Sequence, residues 1–332
     1  MTASAAPVGI PVISAAEIER AMTPADAVAA VEAALRSGLD VEADHERIFA
    51  PLAAGDFLLM PSESPDAAGI KVATIAPGNT GLGLPKISAW YLLFDAQTLQ
   101  PAAIVDGTRL TTLRTPAVTA VAVRALLAAD PRGARDAIDR LVVVGSGPQA
   151  VEHAVTLAAI LPVGEVSIVG RTAARVEDAV AQLRQRGLDA GVGGHDDIRR
   201  ADVVVTATSS SEPVLDLDDL AADAVVAGIG AHGLDHRELG AALVRAADLV
   251  VEARASADRE SGALAAARAE AGAAGASLAA PANLVELVRG DVSRRPGAPA
   301  VYTGVGMAWE DLAVVQGIMD VVRRGPAPEE TT

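Results

Sequence analysis

Leu141-Val-Val-Val-Gly-Ser-Gly-Pro-Gln-Ala150 reads as a buried strand, a glycine turn and the start of a helix. Four consecutive branched apolar residues suit a strand covered on both faces. Gly145 permits the tight turn that follows, and Gly147 lets a pyrophosphate approach the backbone. Pro148 suits the first position of a helix whose N-terminus attracts anions, with Ser146 and Gln149 on either side of this entry. GxGxxA alone is a weak signal, because glycines end many strands; its weight comes from its setting. Apolar runs at 141–144, 166–169, 202–206, 225–229 and 249–251 alternate with helical segments. That alternation predicts an α/β doubly wound parallel sheet of the Rossmann type over residues 126–304.

The turn implies a dinucleotide cofactor, and the end of the second strand bears on which one. Gly170-Arg171-Thr172 stands where an acidic residue would take the ribose hydroxyls of NAD. Arg171 can bond a 2′-phosphate bidentately and Thr172 adds a hydroxyl donor, so NADP(H) is expected in preference to NAD(H), which stays possible. Alternatively, Arg171 is a solvent-facing residue stacking on adenine. Thr206-Ala207-Thr208 follows the next strand and Ile229 ends the one after, both at carboxyl ends where ligands bind in open α/β sheets; Gly304 is assigned to the same rim.

Outward from this unit, residues 1–125 with 305–332 form a second, α+β domain. Residues 15–40 read as helical, with Thr23-Pro24 opening one segment. Short apolar runs between 47 and 106 predict a meander sheet, 110–127 a helix, and 307–323 a final helix packing back on this domain. The Ala-, Glu- and Arg-rich stretch 256–275 reads as a surface helix with a solvated face. The chain has 332 residues, 51% hydrophobic and 21% charged, with a net charge of −16. That charge argues against nucleic acid as a partner, and zero cysteines exclude thiolate chemistry. Met1 to Pro11 lacks a basic start followed by an apolar run, and the Ala-rich run after Pro116 is interrupted by Arg124, so a cytoplasmic protein without a membrane span is expected. Of 27 basic residues only Lys71 and Lys86 are lysines.

Gly69-Ile-Lys71-Val, Pro77-Gly-Asn79, Gly83-Leu-Pro85, Leu92-Leu-Phe-Asp95, Asp106-Gly107, Leu113-Arg114-Thr115 and Gly304-Val-Gly-Met-Ala-Trp-Glu-Asp311 form, with the glycine turn, an ordered set. The set resembles the ornithine cyclodeaminase and mu-crystallin family from about Arg47 to Leu312. The resemblance implies a substrate-binding, dimerising domain wrapped around an inserted Rossmann domain, hence a homodimer acting on a small imino or amino acid. It also implies that Arg47, Lys71 and Arg114 hold the substrate carboxylate. True cyclodeaminases of the family carry an aspartate in a Gly-x-Asp-x-Pro-Gly-Lys loop after the fifth strand; this chain has Gly230-Ala-His232-Gly-Leu-Asp-His236 there. The departure puts ornithine cyclisation in doubt and brings the loop closer to mu-crystallin, where ketimine reduction is known.

The residues support this independently. Lys71 lies in mid-strand within an apolar run, and a buried ammonium needs an anionic partner: a bound carboxylate, or Asp95 or Asp106. Arg114 can serve the carboxylate or the pyrophosphate, Thr115 touches the nucleotide, and Lys86 is a further substrate-side candidate. His232 has a side chain suited to proton exchange near neutral pH, though an inert loop histidine fits equally. His232, Asp235 and His236 imitate metal spacing without a further ligand, so no metal is expected. No Gly-x-Ser-x-Gly elbow or His-Glu-x-x-His occurs. The expected activity is NAD(P)H-dependent reduction of a C=N bond in a small carboxylate-bearing substrate, with Lys71 and His232 as catalytic candidates. The alternatives are an ammonia-releasing ornithine or lysine cyclodeaminase using bound NAD, an amino-acid dehydrogenase, and a non-enzymatic NADP(H)-dependent small-ligand binder.

Overall fold

The structure, a computed structural model, describes residues 9–324; residues 1–8, on which part of the leader reading rests, and 325–332 lie outside the described residues. The strands are β1 (Val12–Ile13), β2 (Ile48–Leu52), β3 (Gly55–Glu63), β4 (Ala67–Ile75), β5 (Ile87–Asp95), β6 (Pro101–Asp106), β7 (Ile138–Val144), β8 (Val163–Val169), β9 (Ala190–Val192), β10 (Val203–Thr206), β11 (Val225–Gly228), β12 (Asp248–Val251), β13 (Ala282–Asn283) and β14 (Ala300–Thr303). The helices are α1 (Ala15–Ala21), α2 (Pro24–Arg36), α3 (Gly107–Ala128), α4 (Pro148–Ile160), α5 (Ala173–Gln185), α6 (His195–Ile198), α7 (Ala241–Ala246), α8 (Arg254–Glu260), α9 (Gly262–Ala273), α10 (Leu284–Arg289) and α11 (Ala308–Arg324). The chain divides into two compact units, one of Met1–Asp26, Asp44–Thr111 and Ala308–Thr332, the other of Ala27–Ala43 and Thr112–Met307. The position near 125 where the sequence suggested a boundary lies inside α3.

In the first unit β2 to β6 form an antiparallel meander, with β1 parallel to β6 at its edge. Alternation sorts its side chains. Leu58 and Met60 of β3, Lys71 and Ala73 of β4, and Ala89, Tyr91 and Leu93 of β5 are buried. α11 packs on β3 and β4. The intervening positions face the other way, and the row Ile48, Leu59, Val72, Trp90 crosses four strands in register.

The second unit is the expected parallel sheet, in the order β13-β12-β14-β11-β10-β7-β8-β9. The chain leaves β7 toward β8 and β9, then returns to β10 on the other side, so the glycine turn sits at the topological switch point. Five of these strands were expected; β9, β13 and β14 are additional. β14, four residues long, lies between β11 and β12 and brings Gly304 to the carboxyl end of the sheet. The stretch 256–275 also differs from its expected form. Ser261 accepts from the Leu264 amide at 3.3 Å and separates α8 from α9. Leu264, Ala267 and Ala271 make a buried stripe at helical spacing, a close-packing face and not a solvated one. α3, the one helix among the described residues long and apolar enough to cross a bilayer, is mostly buried within the protein.

Candidate active site

Backbone geometry makes the nucleotide turn. Gly145 has φ +136°, and a Cβ there would fall 2.4 Å from the Ala207 carbonyl oxygen. Its own N–H donates to Val169 O at 2.8 Å, which ties the turn to the end of β8. Gly147 is the extended N-cap of α4 and provides no side-chain cap, and Pro148 follows it. The backbone at the helix entrance is thereby shaped for an anion. A Cβ on Gly170 would lie 2.9 Å from Val176 Cγ2 and 3.5 Å from Ser146 Oγ, so the β8 loop closes directly on the turn. Arg171 and Thr172 are exposed beside it, and Thr172, the N-cap of α5, makes no side-chain capping bond. These residues fit an adenosine diphosphate with space and donors near the ribose.

The neighbouring carboxyl ends are fixed by two buried glutamates that sequence reasoning missed. Glu238 accepts from Thr206 Oγ1 (3.0 Å), the Thr208 amide (2.6 Å) and hydroxyl (2.7 Å), and the Gly230 amide (2.6 Å). One carboxylate thus locks the loops after β10 and β11, while the Ile229 amide donates to Thr206 O at 3.0 Å. Glu252, directly after β12, accepts from Tyr302 Oη at 3.2 Å, Val305 N at 2.9 Å and Gly306 N at 2.9 Å. It holds the loop that carries Gly304 and places Gly306 against the buried Arg114, whose Nη1 lies 2.9 Å from where a Gly306 Cβ would be. An acid directly after the apolar run 249–251 was the available signal for Glu252. Arg114 and Thr115 stand on α3 one turn before Thr119, whose hydroxyl meets Nε2 of the fully buried His153 of α4 at 3.1 Å. Burial, with the Arg114 charge adding to it, lowers His153 to about 4, so it is neutral at physiological pH. His232 is exposed on the loop after β11.

In the first unit Lys71 is buried as expected, and its counter-charge in the protein is neither of the two aspartates the sequence suggested. Lys71 Nζ lies 2.8 Å from Asp311 Oδ2 of α11, with the two side chains 4% and 0% exposed. Asp95 instead accepts from Thr98, and Asp106 from the Arg109 amide at 2.8 Å. The counter-charge comes not from the strand's neighbours but from a helix some 240 residues later in the chain that packs on the strand. Lys71 is in register with Met60 on one side and Tyr91 on the other. The Tyr91 hydroxyl is buried and has no hydrogen-bond partner among the described residues, and a Cβ on Gly69 would lie 2.0 Å from it. Burial first, then the charges of Asp311 and Asp44, raises this phenol well above its ordinary value. Asp44 accepts from the Ala308 and Trp309 amides at 3.0 and 3.3 Å and so anchors the start of α11; burial raises its carboxyl. Arg47 is half-buried before β2, and Lys86 is exposed before β5.

A strand-turn-helix with a glycine cradle at a switch point, and loops locked around it at the carboxyl ends, define a nicotinamide-dinucleotide-binding α/β protein. The chain belongs to the ornithine cyclodeaminase/mu-crystallin family, whose model matches residues 11–325. It is 34% identical over 284 residues to a Delta(1)-pyrroline-2-carboxylate reductase 2 of Burkholderia ambifaria, covering 84% of this chain and 86% of that one. It is 30% identical to the ketimine reductase mu-crystallin of Mus musculus, covering 78% and 77%. The fold matches that of a Thermococcus litoralis Delta(1)-pyrroline-2-carboxylate reductase solved with NADH and L-proline, with a TM-score of 0.85, 23% identity and coverage of 95% and 98%.

Proposed function

We propose that this chain is an NAD(P)H-dependent reductase of cyclic imines bearing a carboxylate, with Delta(1)-pyrroline-2-carboxylate the first substrate to test. The observation that carries the reading is the similarity, along most of the chain, to reductases named for that imine. When bound, the reduced nicotinamide supplies a hydride to the imine carbon. The Gly145–Gly147 turn and the α4 entrance hold the pyrophosphate, and Arg171 with Thr172 favours NADPH over NADH. Thr206 to Thr208, Ile229 and Gly304 form the rim against the nicotinamide, and Thr115 adds a contact to the nucleotide. Arg47, Lys71 and Arg114 hold the carboxylate, which fixes the imine carbon for attack, and Lys86 is a further substrate-side group. Lys71 or His232 delivers the proton to the imine nitrogen.

The test is stoichiometry with the imine and either cofactor. One NAD(P)H consumed per L-proline formed, without ammonia, is expected. Ammonia released from ornithine with no net change in cofactor would reject the proposal in favour of cyclodeamination.

The homodimer belongs to the same proposal. Both faces of the meander are apolar, and the outer one exposes Ile48 (52%), Leu52 (49%) and Trp90 (49%). An antiparallel sheet with one solvated face would be polar there, so a second copy of this chain is the proposed cover.

A further inference from the structure

We propose that Asp311 is the positioning residue of Lys71: it keeps the Nζ group charged and sets where that charge stands in the first unit. The inference rests on the reading of Lys71 as a substrate-side group. Lys71 comes from mid-strand β4 and Asp311 from the first turns of α11, so the 2.8 Å pair joins the sheet to its covering helix. Both side chains are out of water, where an ammonium keeps its proton only beside a counter-charge. Around the pair, Met60 of β3 and Tyr91 of β5 are in register with Lys71, Glu310 is buried next to Asp311 in the chain, and Asp44 accepts from the amides that begin the helix. Gly69 has no side chain because the Tyr91 hydroxyl occupies that space. A long flexible lysine is thereby confined at its tip, which is what a group must have if it is to orient a small carboxylate or hand over a proton.

The sequence supplies an unusually clean probe, because Lys71 and Lys86 are its only lysines. In full-length protein labelled with 15N-lysine, two Nζ signals are followed with pH, and Lys86→Arg assigns them. In Asp311→Asn the Lys71 signal is expected to change from ammonium to amine about two pH units lower than in the wild type. The kcat for pyrroline-carboxylate reduction falls about tenfold or more, while the NADPH dissociation constant stays put. Asp311→Glu, which retains the charge and displaces it by a methylene, keeps Lys71 an ammonium and has an intermediate kcat. A Lys71 signal and kcat unchanged in Asp311→Asn would overturn the proposal and leave the proposed function standing. If Asp311→Asn fails to fold, wild-type kcat in Asp311→Glu overturns it. A wild-type protein that reduces no carboxylated imine removes both.

Discussion

At the scale of single residues, two predictions separate function from packing. Arg171→Ala is expected to raise KM for NADPH by ten- to a hundredfold, the worth of about 1.5–3 kcal/mol of charge-assisted hydrogen bonding, and to leave KM for NADH within a factor of about two. Equal effects on both cofactors would show that the guanidinium does not read a 2′-phosphate. Tyr91→Phe removes a buried hydroxyl that has no hydrogen-bond partner among the described residues. Since an unsatisfied buried group is costly, urea unfolding should show a gain of about 1 kcal/mol; a loss would mean the hydroxyl is satisfied in solution. The contrast between Lys71 and Asp311 shows what one residue discloses on its own. A lysine among apolar strand residues announces burial and need of an anion. The anion's identity depends on tertiary packing, and Asp311 looks like any acid on an amphipathic helix.

At the scale of elements, the glycine turn was fully legible, because its requirements are backbone requirements. With φ +136° and a carbonyl oxygen 2.4 Å from any added Cβ, Gly145→Ala has no room. Cofactor affinity should fall by more than tenfold in a titration of nucleotide fluorescence, with the first unit's stability unchanged; binding at wild-type affinity would refute the role of the turn. The strands β7, β8, β10, β11 and β12 were readable as Val-, Leu- and Ile-rich apolar runs, whereas β9, an Ala-Gly-Val of three residues, and β14, which follows the Gly- and Pro-containing stretch 290–299, stand out from no such alternation. The α8–α9 stretch was misread because alanine is weakly apolar: Leu264, Ala267 and Ala271 make a close-packed stripe that resembles a solvated helix in composition. Glu238 and Glu252 escaped notice for the reason Asp311 did. Their four and three donors respectively come from distant loops and become visible only when the strand ends converge.

At the scale of the whole molecule, buried histidine and apolar surface set the behaviour in solution. His153 is held near 4 in the folded protein against an ordinary value of 6.5. Between those values the unfolded chain binds the proton and the folded chain does not, so stability is full above about pH 6.5 and declines toward pH 4. The loss approaches about 3 kcal/mol, and His153→Gln should flatten that part of a stability profile measured by urea unfolding; a profile of unchanged slope in the variant would contradict this. Trp90→Glu should convert a dimer to a monomer in sedimentation equilibrium if the outer face of the meander is where copies meet. The central claim, that the cofactor's hydride ends on the carbon of a carboxylated imine, is tested most directly with NADPH carrying deuterium at both C4 positions of the nicotinamide and Delta(1)-pyrroline-2-carboxylate. Proline carrying one deuterium at its α-carbon, one equivalent per NADPH oxidised, is the predicted product. Turnover without deuterium at that carbon, or oxidation of NADPH without proline, would contradict it.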